Sequence, residues 1–236
     1  MKLKDRVAVV TGASRGIGRS IALHFAGEGA KLAISGRDPD RLTELHDELR
    51  AKGNEVISIL GDVSNEADVV KLIKRTVEAF GRIDILVNNA GFGIFKPVIQ
   101  MKTEEFDSLF GVNMRGAFIA TREALRYMIA QNDGVIINIA SLAGKNALEN
   151  GAAYAATKWA MIGFAKSVML EVRKHNIRVV TISPGSVDTD FGLSNRHNRD
   201  RILKPDDVAE AAVLAAGLPA TAMMSEIDLR PTNPKA

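Results

Sequence analysis

The chain has 236 residues, 46% hydrophobic and 25% charged, enough for one sizeable core and ordinary for a globular protein. Its 31 basic and 28 acidic residues leave a net charge of +3 with no dense basic run, which argues against a nucleic-acid or anionic-membrane partner. Cysteine is absent, so disulfides, thiolate metal ligands and cysteine nucleophiles are excluded together. No stretch approaches the ~20 apolar residues of a spanning helix. No leader-like segment precedes the first apolar run, so a cytoplasmic location is expected.

Short runs rich in Val and Ile read as buried strands at Val7–Thr11, Lys31–Ser35, Val56–Leu60, Ile83–Asn88, Val135–Ala140 and Ile177–Ile182, with a weaker seventh at Glu226–Leu229. Amphipathic segments lie between them at about Gly16–Glu28, Pro39–Lys52, Glu66–Phe80, Thr103–Ala130, Ala152–Lys174 and Pro205–Ala216. Each is long enough for a right-handed crossover, and the alternation predicts an α/β fold with a doubly wound parallel sheet in one domain over residues 1–236. Asp190–Lys204 is polar and aperiodic and follows the sixth strand. It is read as a substrate loop at the carboxyl ends of the strands.

The first strand runs into Gly12-Ala13-Ser14-Arg15-Gly16-Ile17-Gly18 and then a helical pattern. Glycines permit a tight turn and close approach of a ligand, and the helix start offers N–H groups to a phosphate. A tight strand-to-helix connection would need the same glycines. Tyr154 and Lys158 lie one helical turn apart, so an ammonium can pull down a phenol pKa and fit the tyrosine for proton transfer. The spacing alone favours a packed aromatic and a surface lysine. Ser141, after the fifth strand, can hold a substrate oxygen or cap a turn.

Taken with Asn88-Asn89-Ala90-Gly91 and Pro184-Gly185, this set resembles the short-chain dehydrogenase/reductase family in its single-domain branch, in order and spacing over nearly the whole chain. The resemblance implies a Rossmann-type, seven-stranded parallel sheet with helices on both faces. It implies a catalytic set of Asn113, Ser141, Tyr154 and Lys158, with Asn113 holding a proton-relay water and Lys158 binding the nicotinamide ribose. It also implies that Gly12, Ser14, Arg15, Gly16, Ile17, Gly18, Asp62, Val63, Asn89, Ala90, Gly91, Pro184, Gly185, Val187 and Thr189 border the dinucleotide. Asp62 can equally lead the next helix, and Asn113 can be plain helix surface.

Relatives that use NAD carry an acid after the second strand, where it would repel a 2′-phosphate. Here Gly36 holds that place and Arg37 follows, with Arg15 in the glycine turn, so two guanidinium groups are expected to converge on the phosphate of NADP(H). Asp38 is read as the cap of the next helix, ahead of Pro39. The four histidines are scattered, and no metal site is expected.

The function that follows is an NADP(H)-dependent oxidoreductase interconverting a carbonyl and an alcohol on a small molecule. The alternative is a catalytically silent dinucleotide-binding regulator. The end of the chain, Ser225 to Pro234, lacks the glycine-rich finish of ketoacyl reductases, and the short polar 190–204 loop suits a small or polar substrate. A homo-oligomer, tetramer or dimer, is implied, with Trp159 and Phe164 placed at a subunit interface or in the core.

Overall fold

A computed structural model describes residues 1–191 and 201–232. Seven parallel strands form one sheet in the order β3-β2-β1-β4-β5-β6-β7. They are β1 (Val7–Thr11), β2 (Lys31–Gly36), β3 (Val56–Leu60), β4 (Ile85–Asn88), β5 (Gly134–Ile139), β6 (Ile177–Pro184) and β7 (Glu226–Leu229). The helices are α1 (Gly16–Gly27), α2 (Pro39–Ala51), α3 (Glu66–Phe80), α4 (Thr103–Phe110), α5 (Gly116–Gln131), α6 (Ala152–Val172) and α7 (Pro205–Ala216).

Burial explains why the sequence reads as it does. The central strands β1, β4, β5 and β6 are buried at every position, so their apolar runs are continuous. The edge strand β7 alternates exposed and half-buried positions and carries Glu226 and Asp228, which makes it faint in the sequence. Apolar faces of α1, α2 and α7 pack on one side of the sheet, around Phe25, Leu45 and Val208. Those of α3, α5 and α6 pack on the other, around Leu72, Ile119 and Val168. The chain winds outward from β1 in one direction and from β4 in the other. The crevice outside the carboxyl ends of these two strands is therefore the switch point where such sheets bind ligands.

Several element ends shift by one or two residues from the sequence expectation, as where β6 runs on to Pro184, and two differences have a visible cause. The fourth strand starts at Ile85, not Ile83, because the Ile83 N–H donates to Gln131 Oε1 at 3.2 Å and the Asp84 carboxylate takes the Val7 N–H at 2.8 Å. The segment expected as one helix over Thr103–Ala130 is α4 and α5 joined by a π-helical turn, Gly111–Arg115. Every residue there keeps helical handedness, so a one-residue expansion leaves the apolar periodicity nearly intact. Gly116 lets this turn lie against Val63, since a Cβ at 116 would come within 2.9 Å of the Val63 side chain.

Part of the expected substrate loop, residues 192–200, lies outside the described residues, as do His197 and the final residues 233–236. The described flanks of the loop are pinned together at its base. Asp188 N–H donates to Leu203 O at 2.8 Å, and Leu203 N–H to Ser186 O at 3.0 Å.

Candidate active site

The glycine turn is held from below by the end of β4. The Asn89 amide donates to Thr11 O at 2.9 Å and Gly12 O at 3.0 Å, while Thr11 Oγ1 accepts from the N–H groups of Asn89 and Ala90. Gly12 has φ +64°, and a Cβ there would sit 2.8 Å from Ala90 Cα, so only glycine fits. A Cβ on Gly18 would run into Gly12 O and the Asn89 amide. Ile17 packs its side chain on the core, and Thr189 rests its methyl where Gly16 has none. Asn88 instead serves the sheet, donating to Asn138 and Thr121.

What this turn presents is an uncapped helix start. Arg15, the residue before α1, makes no capping bond, and the first turn of α1 has no acid. The next helix differs: Asp38 accepts from Arg41 N–H at 3.1 Å, Pro39 opens α2, and Asp40 stands in its first turn, as expected. The bare end of α1 suits an anion.

The arginines are arranged differently from expectation. Arg37 pairs with Asp62 at 3.3 Å, while Arg15 (3.8 Å) and Arg41 (3.4 Å) converge on the carboxylate of Asp190. Arg41 was missed in the sequence because only the fold brings residue 190 across to α2. A Cβ on Gly36 would meet Ser14 at 3.1 Å, so an acid in that place would press on the glycine turn. The bare helix end and the anion held between two arginines fit a phosphorylated dinucleotide. Asp62 also takes the N–H and hydroxyl of Ser64, both at 2.8 Å. Burial works against its charge, but the Ser64 bonds and Arg37 outweigh this and hold the carboxyl below its ordinary range. Asp62 therefore leads into α3 as well as facing the site, and Val63 is a core residue by its side chain.

Tyr154 and Lys158, on α6, are 6% and 4% exposed, which removes the surface-lysine reading. Lys158 Nζ donates to Ile139 O at 2.9 Å and lies 5.8 Å from the centre of the Tyr154 ring. Burial lowers its pKa to about 8. Ser141 accepts from Ala143 N–H at 3.1 Å, so it caps its turn, and it lies near enough to Tyr154 to draw the phenol pKa down. The lowering of the Tyr154 pKa by Lys158, expected from spacing, is not found. Burial pushes the phenol up, and only Ser141 draws it back.

Asn113 sits in the π-turn and is fully buried, so it is not helix surface. Its amide holds the Phe92 backbone on both sides, accepting from Phe92 N–H at 3.0 Å and donating to Phe92 O at 2.9 Å. It also donates to Thr157 Oγ1 at 3.1 Å, and Thr157 in turn donates to Tyr154 O at 2.7 Å. Thr157 thus links Asn113 to α6, a role no sequence signal marked. Gly91 lies close to both Asn113 Oδ1 and Lys158 Nζ. Pro184 ends β6, Gly185 N–H donates to Leu229 O at 2.9 Å, and Val187 bridges to Leu203.

Residues 6–200 match the family model described as short chain dehydrogenase. The chain is 36% identical to an uncharacterized oxidoreductase of Staphylococcus saprophyticus, over 98% of this chain and 99% of the relative. A metagenomic short-chain oxidoreductase solved in complex with NADP superposes with a TM-score of 0.88 at 38% identity, covering 99% of this chain and 100% of that one. A 3-ketoacyl-(acyl-carrier-protein) reductase from Brucella melitensis, complexed with NADH, superposes with a TM-score of 0.91 at 32% identity and 98% coverage of each chain.

Proposed function

The chain belongs to the short-chain dehydrogenase family, and from that premise we propose that it reduces a carbonyl on a small molecule to an alcohol, with NADP(H) as cofactor and Tyr154 as proton donor. The observation that carries this reading is a buried Tyr154 with the Lys158 ammonium group 5.8 Å from its ring and Ser141 beside it, at the same edge of the sheet as the uncapped α1. When bound, the nicotinamide supplies or accepts the hydride. Everything else falls to the residues of the chain.

Ser141 donates to the substrate oxygen and places it beside the Tyr154 hydroxyl. A phenol is neutral at pH 7 and burial favours that form further, so Tyr154 starts as an acid, which suits reduction. As the phenol gives up its proton, negative charge grows next to Lys158. The nearly buried ammonium stabilises that charge more strongly than water would. Lys158 would hold the ribose hydroxyls of the bound cofactor, and Asn113 would hold a relay water for reprotonating the tyrosine. Asn113 and Thr157 keep α6 and the Phe92 segment in register for this transfer.

Arg15, Arg37 and Arg41 favour a 2′-phosphate, and Gly36 leaves no acid to oppose it. Gly12 to Gly18, Asp62, Val63, Asn89 to Gly91, Pro184, Gly185, Val187 and Thr189 border the dinucleotide in this reading. Assembly into a homo-oligomer is proposed through α4, α5 and α6, whose outer faces leave Phe106, Phe118, Trp159 and Leu170 exposed. Among the described residues no helix is long and apolar enough to cross a membrane.

The test is NADPH oxidation across ketones and aldehydes, with Tyr154→Phe as control. Tyr154-dependent turnover supports the reading. Tight NADPH binding with no turnover of any carbonyl would instead favour the silent regulator.

A further inference from the structure

Tyr154 does not stand alone at the mouth of the site. The Phe95 ring meets it edge-on at 5.4 Å and 63°, and the Phe191 ring meets it at 5.5 Å and 54°. The two phenylalanines also meet each other, at 6.3 Å and 78°. They come from different crossings, one after β4 and the other after β6, so both stand at the carboxyl edge where substrate enters.

Their exposure separates them from core residues. Tyr154 is 6% exposed, whereas Phe95 and Phe191 are 43% and 40% exposed. Two large rings thus cover the reacting phenol on one side and face solvent on the other. Gly93 makes room for both, since a Cβ there would come within 2.7 Å of the Phe95 ring and 3.1 Å of Phe191. Lys96, next to Phe95 in the chain, and Lys145, shortly after Ser141, are already neutralised. Lys96 is held by Glu105 at 2.7 Å, and Lys145 by Glu226 and Asp228 at 2.6 and 2.8 Å.

Resting on the carbonyl-reductase reading, we propose that Phe95 and Phe191 select the substrate, which is an uncharged ketone or aldehyde carrying an aromatic ring beside the carbonyl. The aryl group replaces the present ring–ring contacts edge-on or offset, geometries in which aromatic pairs attract beyond their buried area. Its carbonyl then reaches Ser141 and Tyr154. A carboxylate or phosphate on the substrate meets carbon rings at the mouth, with Lys96 and Lys145 already paired and the Lys158 ammonium buried behind Tyr154. This revises the expectation of a small or polar substrate, which the composition of the 190–204 loop had suggested.

The test compares kcat/KM, with NADPH, for acetophenone, methyl hexyl ketone of the same carbon number, and the anionic aryl keto acid benzoylformate. Acetophenone is expected to lead each of the others by about tenfold or more, the scale of one or two aromatic contacts. Phe95→Ala combined with Phe191→Ala should erase most of the lead over methyl hexyl ketone, chiefly through KM. Gly93→Ala, which crowds both rings without removing either, should narrow it. Equal or better use of methyl hexyl ketone or benzoylformate, with turnover still dependent on Tyr154, would overturn the aromatic selection and leave the reductase reading intact. So would a lead that survives the double substitution. Absence of Tyr154-dependent turnover on every carbonyl would remove both.

Discussion

The two ends of the site are built by opposite means. The dinucleotide end is backbone: glycines without room for a Cβ, a helix start left uncapped, and arginines lying half in water on exposed carboxylates. The chemical end is side chains taken out of water: Tyr154, Lys158, Asn113 and Thr157 are each less than a tenth exposed, with Asn113 bonded to Thr157, Thr157 to the Tyr154 carbonyl and Lys158 to Ile139 O. Burial shifts the ionisation of Tyr154 and Lys158, whereas the arginines lie half in water, where salt screens them easily. Substitutions at one end should therefore move affinity and cofactor choice, and those at the other should move turnover and pH response.

The largest effect expected is at the chemical end. Tyr154→Phe removes the proposed proton donor and keeps the ring, so kcat should fall by about 10²–10⁴-fold. Titration of NADPH by its fluorescence should show a far smaller change in Kd. A parallel loss of both would break the division. At the other end, Gly18→Ala drives a methyl into Gly12 O and the Asn89 amide. NADPH affinity should drop by at least about tenfold, with about 1–3 kcal/mol of overpacking cost visible in the melting temperature. Retained affinity in a folded variant would show that the glycine turn is only a connection.

Much of this division was legible beforehand, and the gaps have physical causes. Glycine spacing, the Ser141–Tyr154–Lys158 set and the Asp38 cap are local patterns, and local patterns survive in a linear text. The π-turn at Gly111–Arg115 was hidden because one extra residue barely disturbs helical periodicity. The Thr157 clamp, the Arg41–Asp190 pair and the rings over Tyr154 join residues brought together only by the crossovers. The pKa of Tyr154 was read in the wrong direction for a related reason. A lysine one turn away is visible in the spacing, but the depth at which both groups lie is not.

Arg37→Asp probes the exposed end more gently. It exchanges the expected attraction to a 2′-phosphate for repulsion, and also sets an acid against Asp62, the present partner of Arg37. A unit charge pair at such distances is worth about 1–4 kcal/mol between water and a protein surface, so the NADPH/NADH affinity ratio should fall by about tenfold or more. Separate titrations with the two cofactors give the ratio, and the effect should shrink in high salt. An unchanged ratio would end the arginine argument for NADP(H).

The buried end should instead answer to pH. Lys158 has a folded pKa of about 8, below its ordinary 10.5, so between these values the unfolded chain binds more protons than the native one. Stability from this group therefore rises with pH across that window, and below pH 8 its full cost is present. From pH 8 to pH 9.5 the gain is about 1.5 kcal/mol. The raised Tyr154 pKa acts in the opposite sense only as pH climbs past the ordinary phenol value. Denaturant titrations at the two pH values should show the rise, and Lys158→Met should flatten it. A rise that persists in the variant would place the titration elsewhere.

The smallest effect sets the two helix starts against each other. Asp38 caps α2 with its own carboxylate, and replacing it with alanine leaves the Arg41 N–H without that bond. The loss should be about 1 kcal/mol of stability, the usual worth of a helix cap. NADPH affinity should hardly move, because the cap serves the fold. The converse holds at α1, where Arg15 makes no cap and Arg15→Ala removes nothing the helix uses. That variant should melt like the parent and bind NADPH more weakly. The uncapped end is then ligand-completed in the strict sense: saturating NADPH should raise the melting temperature of Asp38→Ala as much as that of the parent, and that of Arg15→Ala less at the same cofactor concentration.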